Sequence, residues 1–134
     1  MKHSVKIEVI DDDPIFLKLF CKQLNSYLSH VERSQDVNFE VDVYQHGLDA
    51  ISHTDGSADW LFIDYYLDAN LNGTDILRLK RIANPGMHVV IMSGDIDRIP
   101  GLKTLSKTPD DILRKDRWLV PRSCVLIEQY LENR

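Results

Sequence analysis

Short apolar runs alternate along the chain with stretches whose apolar residues recur every three to four positions. A parallel sheet covered by helices on both faces produces that alternation. Val5 to Ile10 reads as the first strand. From Pro14 the period changes, and Leu17, Phe20, Leu24, Tyr27 or Leu28, and Val31 fall on one helical stripe. Asp13 is placed to cap that helix, and Pro14 at its first position gives up no hydrogen bond. FEVDVY (39–44) alternates as a second strand and leads into a short helix over Leu48 to Ser52. WLFID (60–64) predicts a strand buried on both faces. Gly73 to Ile82 suits a helix with Ile76, Leu77 and Leu79 apolar, closed by the NPG of 84–86. HVVIMS (88–93) is a fourth strand and DILRK (111–115) a short fifth. Between them Pro100 and Gly101 leave room for only a short or irregular helix in 94–110. A last helix carries Val120, Cys124, Ile127 and Leu131 on its inner stripe, with Pro121 near its start. Leu126 and Tyr130 flank that stripe, suited to core packing or to a partner-facing surface. The expected fold class is α/β: a doubly wound five-stranded parallel sheet with about five flanking helices, one domain over 1–134.

Composition narrows the function. A chain of 134 residues that is 43% hydrophobic and 28% charged can bury an ordinary globular core. Its net charge of −5 speaks against non-specific or direct nucleic-acid binding, which needs a basic surface to displace counterions. The two cysteines, Cys21 and Cys124, sit inside helical patterns and read as buried free thiols in a reducing compartment. No signal peptide precedes the first strand and no apolar run approaches membrane-spanning length, so a cytoplasmic protein without a membrane partner is expected.

Candidate chemistry comes from the strand ends. In an open parallel sheet, ligands bind beyond the carboxyl ends of the strands. Asp11 and Asp12 end the first strand, Asp64 the third, Ser93 the fourth and Lys115 the fifth. Taken singly, each has a bland explanation: a solvated loop acid, a turn serine, a surface lysine. Asp64 is the hardest to dismiss, because it follows the buried WLFI and an unpaired buried carboxylate is costly. Together, three carboxylates repel one another and must hold protons or collect a cation. Hard oxygen ligands suit Mg²⁺, and a hydroxyl and an ammonium group facing them suit a phosphoryl group. The set describes a phosphoryl-transfer site.

With those residues in place, the chain resembles a response-regulator receiver domain of bacterial two-component signalling, of the stand-alone, chemotaxis-regulator-like kind. VIDDDP resembles the family's acidic pair and following proline. FIDYYLD with NGTDIL resembles the phosphoacceptor strand, loop and third helix, VIMSGD the fourth-strand hydroxyl, and DDILRK the fifth strand with its lysine. The resemblance implies a flavodoxin-like strand order of 2-1-3-4-5. It implies Asp64 as the phosphoacceptor, attacking a phosphohistidine of a sensor histidine kinase or histidine phosphotransfer protein. It further implies Mg²⁺ held by Asp12 directly, Asp11 mainly through water, Asp64 and the backbone carbonyl of Tyr66. Ser93 and Lys115 would engage the phosphoryl group. The chain would then be a phosphoacceptor assisting its own phosphorylation and dephosphorylation rather than an enzyme. The residues after Lys115 suffice for the last helix, so the output would pass to a separate, unknown protein, a homodimer through the 94–130 face being one arrangement. Four positions and one stretch depart from the family pattern: Ile112 replaces an aromatic, Asp116 a proline, Asp68 a proline, Arg114 an apolar residue, and the stretch 21–60 is long. Glu8 in mid-strand has no explanation in the sequence.

Two other functions fit parts of this pattern. A pseudo-receiver, using the fold only to bind proteins, would agree with Ile112 and Asp116. A haloacid-dehalogenase-like phosphatase would use the Asp-x-Asp within DDD, but it needs acidic metal ligands after the lysine. Only Asp116, Glu128 and Glu132 follow, the last two within the last helix.

Overall fold

A computed structural model describes residues 2–53, 56–67, 73–96 and 110–133. Asp68, the loop before Gly73, and the stretch 97–109 with Pro100 and Gly101 lie outside them, and with them the short or irregular helix expected there. The described strands are β1 (His3–Ile10), β2 (Val37–Tyr44), β3 (Trp60–Asp64), β4 (His88–Ser93) and β5 (Asp111–Arg114). The helices are α1 (Pro14–Ser34), α2 (Gly47–Ser52), α3 (Gly73–Ala83) and α4 (Leu119–Glu132). All strand pairs are parallel, in the order β2-β1-β3-β4-β5. None of the described helices is long and apolar enough to cross a membrane.

The period-two pattern of the strands separates two cores. Val5, Ile7, Val9, Trp60 and Phe62 face α1 and α4. Ile10, Leu61, Ile63, Val89 and Ile91 face α2 and α3. β3, with every residue buried, is the central wall, as WLFI suggested. β1 and β2 begin two residues before the apolar pattern does, because their pairing runs from His3 opposite Val37. α1 is 21 residues long, which accounts for the extended stretch after Cys21. Asp13 caps it: its Oδ1 accepts from the amides of Ile15 and Phe16 at 3.0 and 3.2 Å. At Gly47 a Cβ would stand 3.0 Å from Ile76 Cδ1, so glycine lets α2 close onto α3.

Several expected helix faces are rotated. On α3, Ile76 and Leu77 are buried, but Leu79 points outward and Lys80 takes the third inward position. On α4 the deepest residues are Leu119, Ser123 and Ile127, with Val120, Cys124 and Leu131 along the flank. Ser123 is tolerated inside because its hydroxyl donates to the Leu119 carbonyl at 2.7 Å. Leu126 and Tyr130 pack on the first core, and the Tyr130 ring meets Trp60 edge-on at 5.3 Å. Cys21 and Cys124 are half-buried rather than buried, and burial pushes the Cys124 thiol up to about 11. β5 lies at the sheet edge and ends at Arg114, one residue short of the expected Lys115; there the solvent-facing Arg114 is tolerated.

Glu8 acquires its explanation here. It faces the second core, and Lys80 Nζ meets both of its carboxylate oxygens, at 3.0 and 3.2 Å. Both side chains are 3% exposed, and the ammonium also lies 5.6 Å above the Tyr44 ring. A charge in a covered strand is tolerable only when a partner of opposite sign is buried with it. Lys80→Met should therefore cost about 3–5 kcal/mol in urea denaturation, because it strands the Glu8 charge. The double variant Glu8→Leu with Lys80→Met should lose less than Lys80→Met alone.

Candidate functional site

The topology brings the carboxyl ends of β1, β3, β4 and β5 to one edge. Asp11 continues β1 by donating its amide to the Tyr44 carbonyl at 3.1 Å. Its Oδ1 accepts from the Asp13 amide at 2.9 Å, which draws the side chain inward until none of it is exposed. Asp64, at the end of β3 and in register with Met92, is 6% exposed. Asp12 is half-buried and opens the cluster toward solvent. Oxygens of Asp11, Asp12 and Asp64 lie within 4.8 Å of one another. Past β5, Lys115 continues the ladder by donating its amide to the Ser93 carbonyl at 2.8 Å. Its ammonium sits 2.5 Å from Asp11 Oδ2 and 3.2 Å from Asp64 Oδ1.

The structure thus assembles Asp11, Asp12, Asp64 and Lys115 from three strand ends. Ser93 is fully buried at the end of the neighbouring strand, and its hydroxyl accepts from the Asp95 amide at 3.2 Å. Tyr66 follows two residues after Asp64 with its ring exposed and edge-on to Tyr65. The sequence did not single out Phe16, whose ring centroid lies 4.2 Å from the Lys115 ammonium. It falls beside the helical stripe rather than on it, and only the side-chain contact reveals it.

Charge at this edge is unbalanced. Burial pushes the Asp64 carboxyl up to about 6, the Asp11 charge adds to that, and Lys115 opposes both. Asp11 is raised as well, by burial first, against the pull of Lys115 and the Asp13 amide. Asp11 Oδ2 is buried, and among the described residues no donor meets it with hydrogen-bond geometry, although the ammonium stands beside it. Three carboxylates and one ammonium leave net negative charge where water is scarce. That donor set fits a hard divalent cation such as Mg²⁺, which takes carboxylate oxygens and retains water.

No family model matches the chain, and no curated protein matches it in sequence. Solved structures do. The BeF3-activated receiver domain of DrrB superposes with a TM-score of 0.73 at 21% identity, over 98% of this chain and 99% of that one. The chain has the receiver-domain fold. A response-regulator receiver protein from Sinorhizobium medicae gives 0.72 at 23% identity, covering 96% of this chain and 95% of its own. A CheY-like receiver domain protein from Methanospirillum hungatei gives 0.71 at 19%, covering 96% and 92%. Many further structural neighbours are receiver domains. In this chain the acidic cluster lies where the strands of that fold deliver their carboxyl ends.

Two measurements check the electrostatics. Divalent cation should raise the melting temperature, because it binds the folded state alone. Asp12→Ala should remove most of that rise, whereas Asp13→Ala should keep it while costing about 0.5–2 kcal/mol as a lost cap. The second concerns pH without metal. The folded-state carboxyl of Asp64, at about 6, holds its proton more tightly than the unfolded one, near 3.8. Its contribution to stability is therefore complete below about 4 and lost as pH rises through about 6. Relative to Asp64→Asn, the wild type should lose stability across that window and change little above pH ~7.

Proposed function

We propose that this chain is a phosphorylation-dependent signalling receiver that accepts a phosphoryl group on Asp64. The observation that carries the reading is the Lys115 ammonium bridging Asp11 and Asp64 inside a cluster of three carboxylates. One oxygen of Asp64 attacks the phosphorus of a phosphohistidine on a kinase or phosphotransfer protein. An O–P bond forms, the P–N bond breaks, and the imidazole leaves with a proton from solvent. Asp64 must be ionised to attack, and the Lys115 ammonium favours that form against the burial that raises its pKa.

Asp12 would hold Mg²⁺ directly and Asp11 chiefly through water, with Asp64 and the Tyr66 carbonyl completing the set. Bound there, Mg²⁺ supplies positive charge against the oxygens of the transferred group. Lys115 supplies the second positive charge from the opposite side, and Ser93 a hydroxyl donor, since accepting from the Asp95 amide leaves its O–H to donate. Asp116, exposed after the lysine, accepts from the Trp118 amide at 2.8 Å and starts the turn into α4.

A pseudo-receiver is the second reading. Ile112, half-buried against the second core, stands where the family carries an aromatic, which favours it. A small phosphodonor with Mg²⁺ separates the two. Intact mass should rise by one phosphoryl group, and Asp64→Asn should abolish the gain. A folded, metal-binding wild type that stays unmodified would establish the pseudo-receiver instead.

A further inference from the structure

The Lys115 ammonium touches three groups: Asp11 Oδ2, Asp64 Oδ1 and the face of Phe16. The carboxylates are explained by the acidic cluster, whereas the ring is not. Its position is tied to the site by the backbone. Asp13 donates its amide to Asp11 Oδ1 at 2.9 Å, and Asp13 Oδ1 in turn receives the amide of Phe16 at 3.2 Å. Two hydrogen bonds thus link the buried acid to the residue that carries the ring. From behind, Phe20 stacks on Phe16 at 5.4 Å with 18° between the planes, and Phe20 meets Phe62 of β3 edge-on at 5.2 Å. The aromatic face is braced from the core.

A ring face attracts an ammonium through its quadrupole but accepts no conventional hydrogen bond. An ammonium has three donors, and two carboxylate oxygens lie within ion-pair distance of it here. A water or a third carboxylate in place of the ring would draw on one of those donors. Phe16 holds the charge while leaving donor capacity open, and it covers a side of the ammonium that would otherwise be hydrated. Lys115 is accordingly only 18% exposed.

We propose that Phe16 is a positioning residue for phosphoryl transfer: its ring holds the Lys115 ammonium beside Asp64 with a donor available for the incoming phosphoryl oxygens. The inference rests on the receiver reading above and adds to it a residue outside the acidic cluster and the strand ends.

The test uses the intact chain with a small phosphodonor and Mg²⁺, following the rate of the mass gain. Phe16→Leu should slow it on the order of fivefold, the scale of one cation–π contact. Phe16→Trp should restore it, and the rise in melting temperature with Mg²⁺ should stay unchanged in both. Progressively fluorinated phenylalanines at position 16, which weaken the quadrupole at nearly constant shape, should slow the reaction in order of fluorine count. In the wild type without metal, the ε-methylene protons of Lys115 should resonate upfield of their position in Phe16→Leu. Equal rates in wild type and Phe16→Leu, rates that follow melting temperature instead of fluorine count, or no upfield displacement each overturn this inference while leaving the receiver reading intact. A wild type that takes no phosphoryl group overturns both.

Discussion

The carboxyl edge of the sheet depends on one ammonium group standing between two carboxylates. Asp11 and Asp64 come from adjacent strands and are both almost fully buried, so their repulsion acts through a medium of low polarity. Lys115 reaches them from the far edge strand, fixed by the hydrogen bond from its amide to Ser93. The neutralisation is incomplete, and burial, with the neighbouring Asp11 charge added to it, holds Asp64 above the ordinary carboxylate range. Such a site is a standing demand for positive charge. The fold tolerates it because β3 is buried throughout, β4 is buried from Val89 on, and their pairing runs up to Asp64 itself.

How much of this was legible in the sequence follows from where the determining forces are local. β3 and β4 announced themselves, because strands covered on both faces carry unbroken apolar runs, and their ends then named Asp64 and Ser93. Asp13 was legible as a cap because capping is a contact with the next turn. Lys80 was not, since its position shares the face of Ile76 and Leu77 but its charge argues for solvent, and hydropathy favours Leu79 instead. The buried partner Glu8, a strand away, is what makes an inward lysine acceptable there. The mid-strand Glu8 was itself the missed signal: an acid in a covered strand calls for a cation on the helix above it. Phe16 left no such trace. Its role rests on a contact with a residue almost a hundred positions later, which no local pattern encodes.

The two faces of the sheet are held in physically different ways. On the first, α1 and α4 pack through aliphatic and aromatic contacts, including the edge of Tyr130 against the Trp60 indole at 5.3 Å. On the second, α3 is joined to β1 by a buried pair of opposite charges as well as by Ile76 and Leu77.

That difference sets the direction in which the molecule can yield. Dispersion between packed hydrocarbons changes gently when one surface slides past another by a fraction of an ångström. A buried ion pair does not, because a small separation leaves two charges facing a medium that cannot solvate them. The Glu8–Lys80 pair therefore works as a pin through one side of the sheet. With α3 pinned, its layer is the one that resists sliding, while the layer of α1 and α4 is held by apolar packing and the hydrogen bond from the Tyr27 hydroxyl to the Cys124 carbonyl.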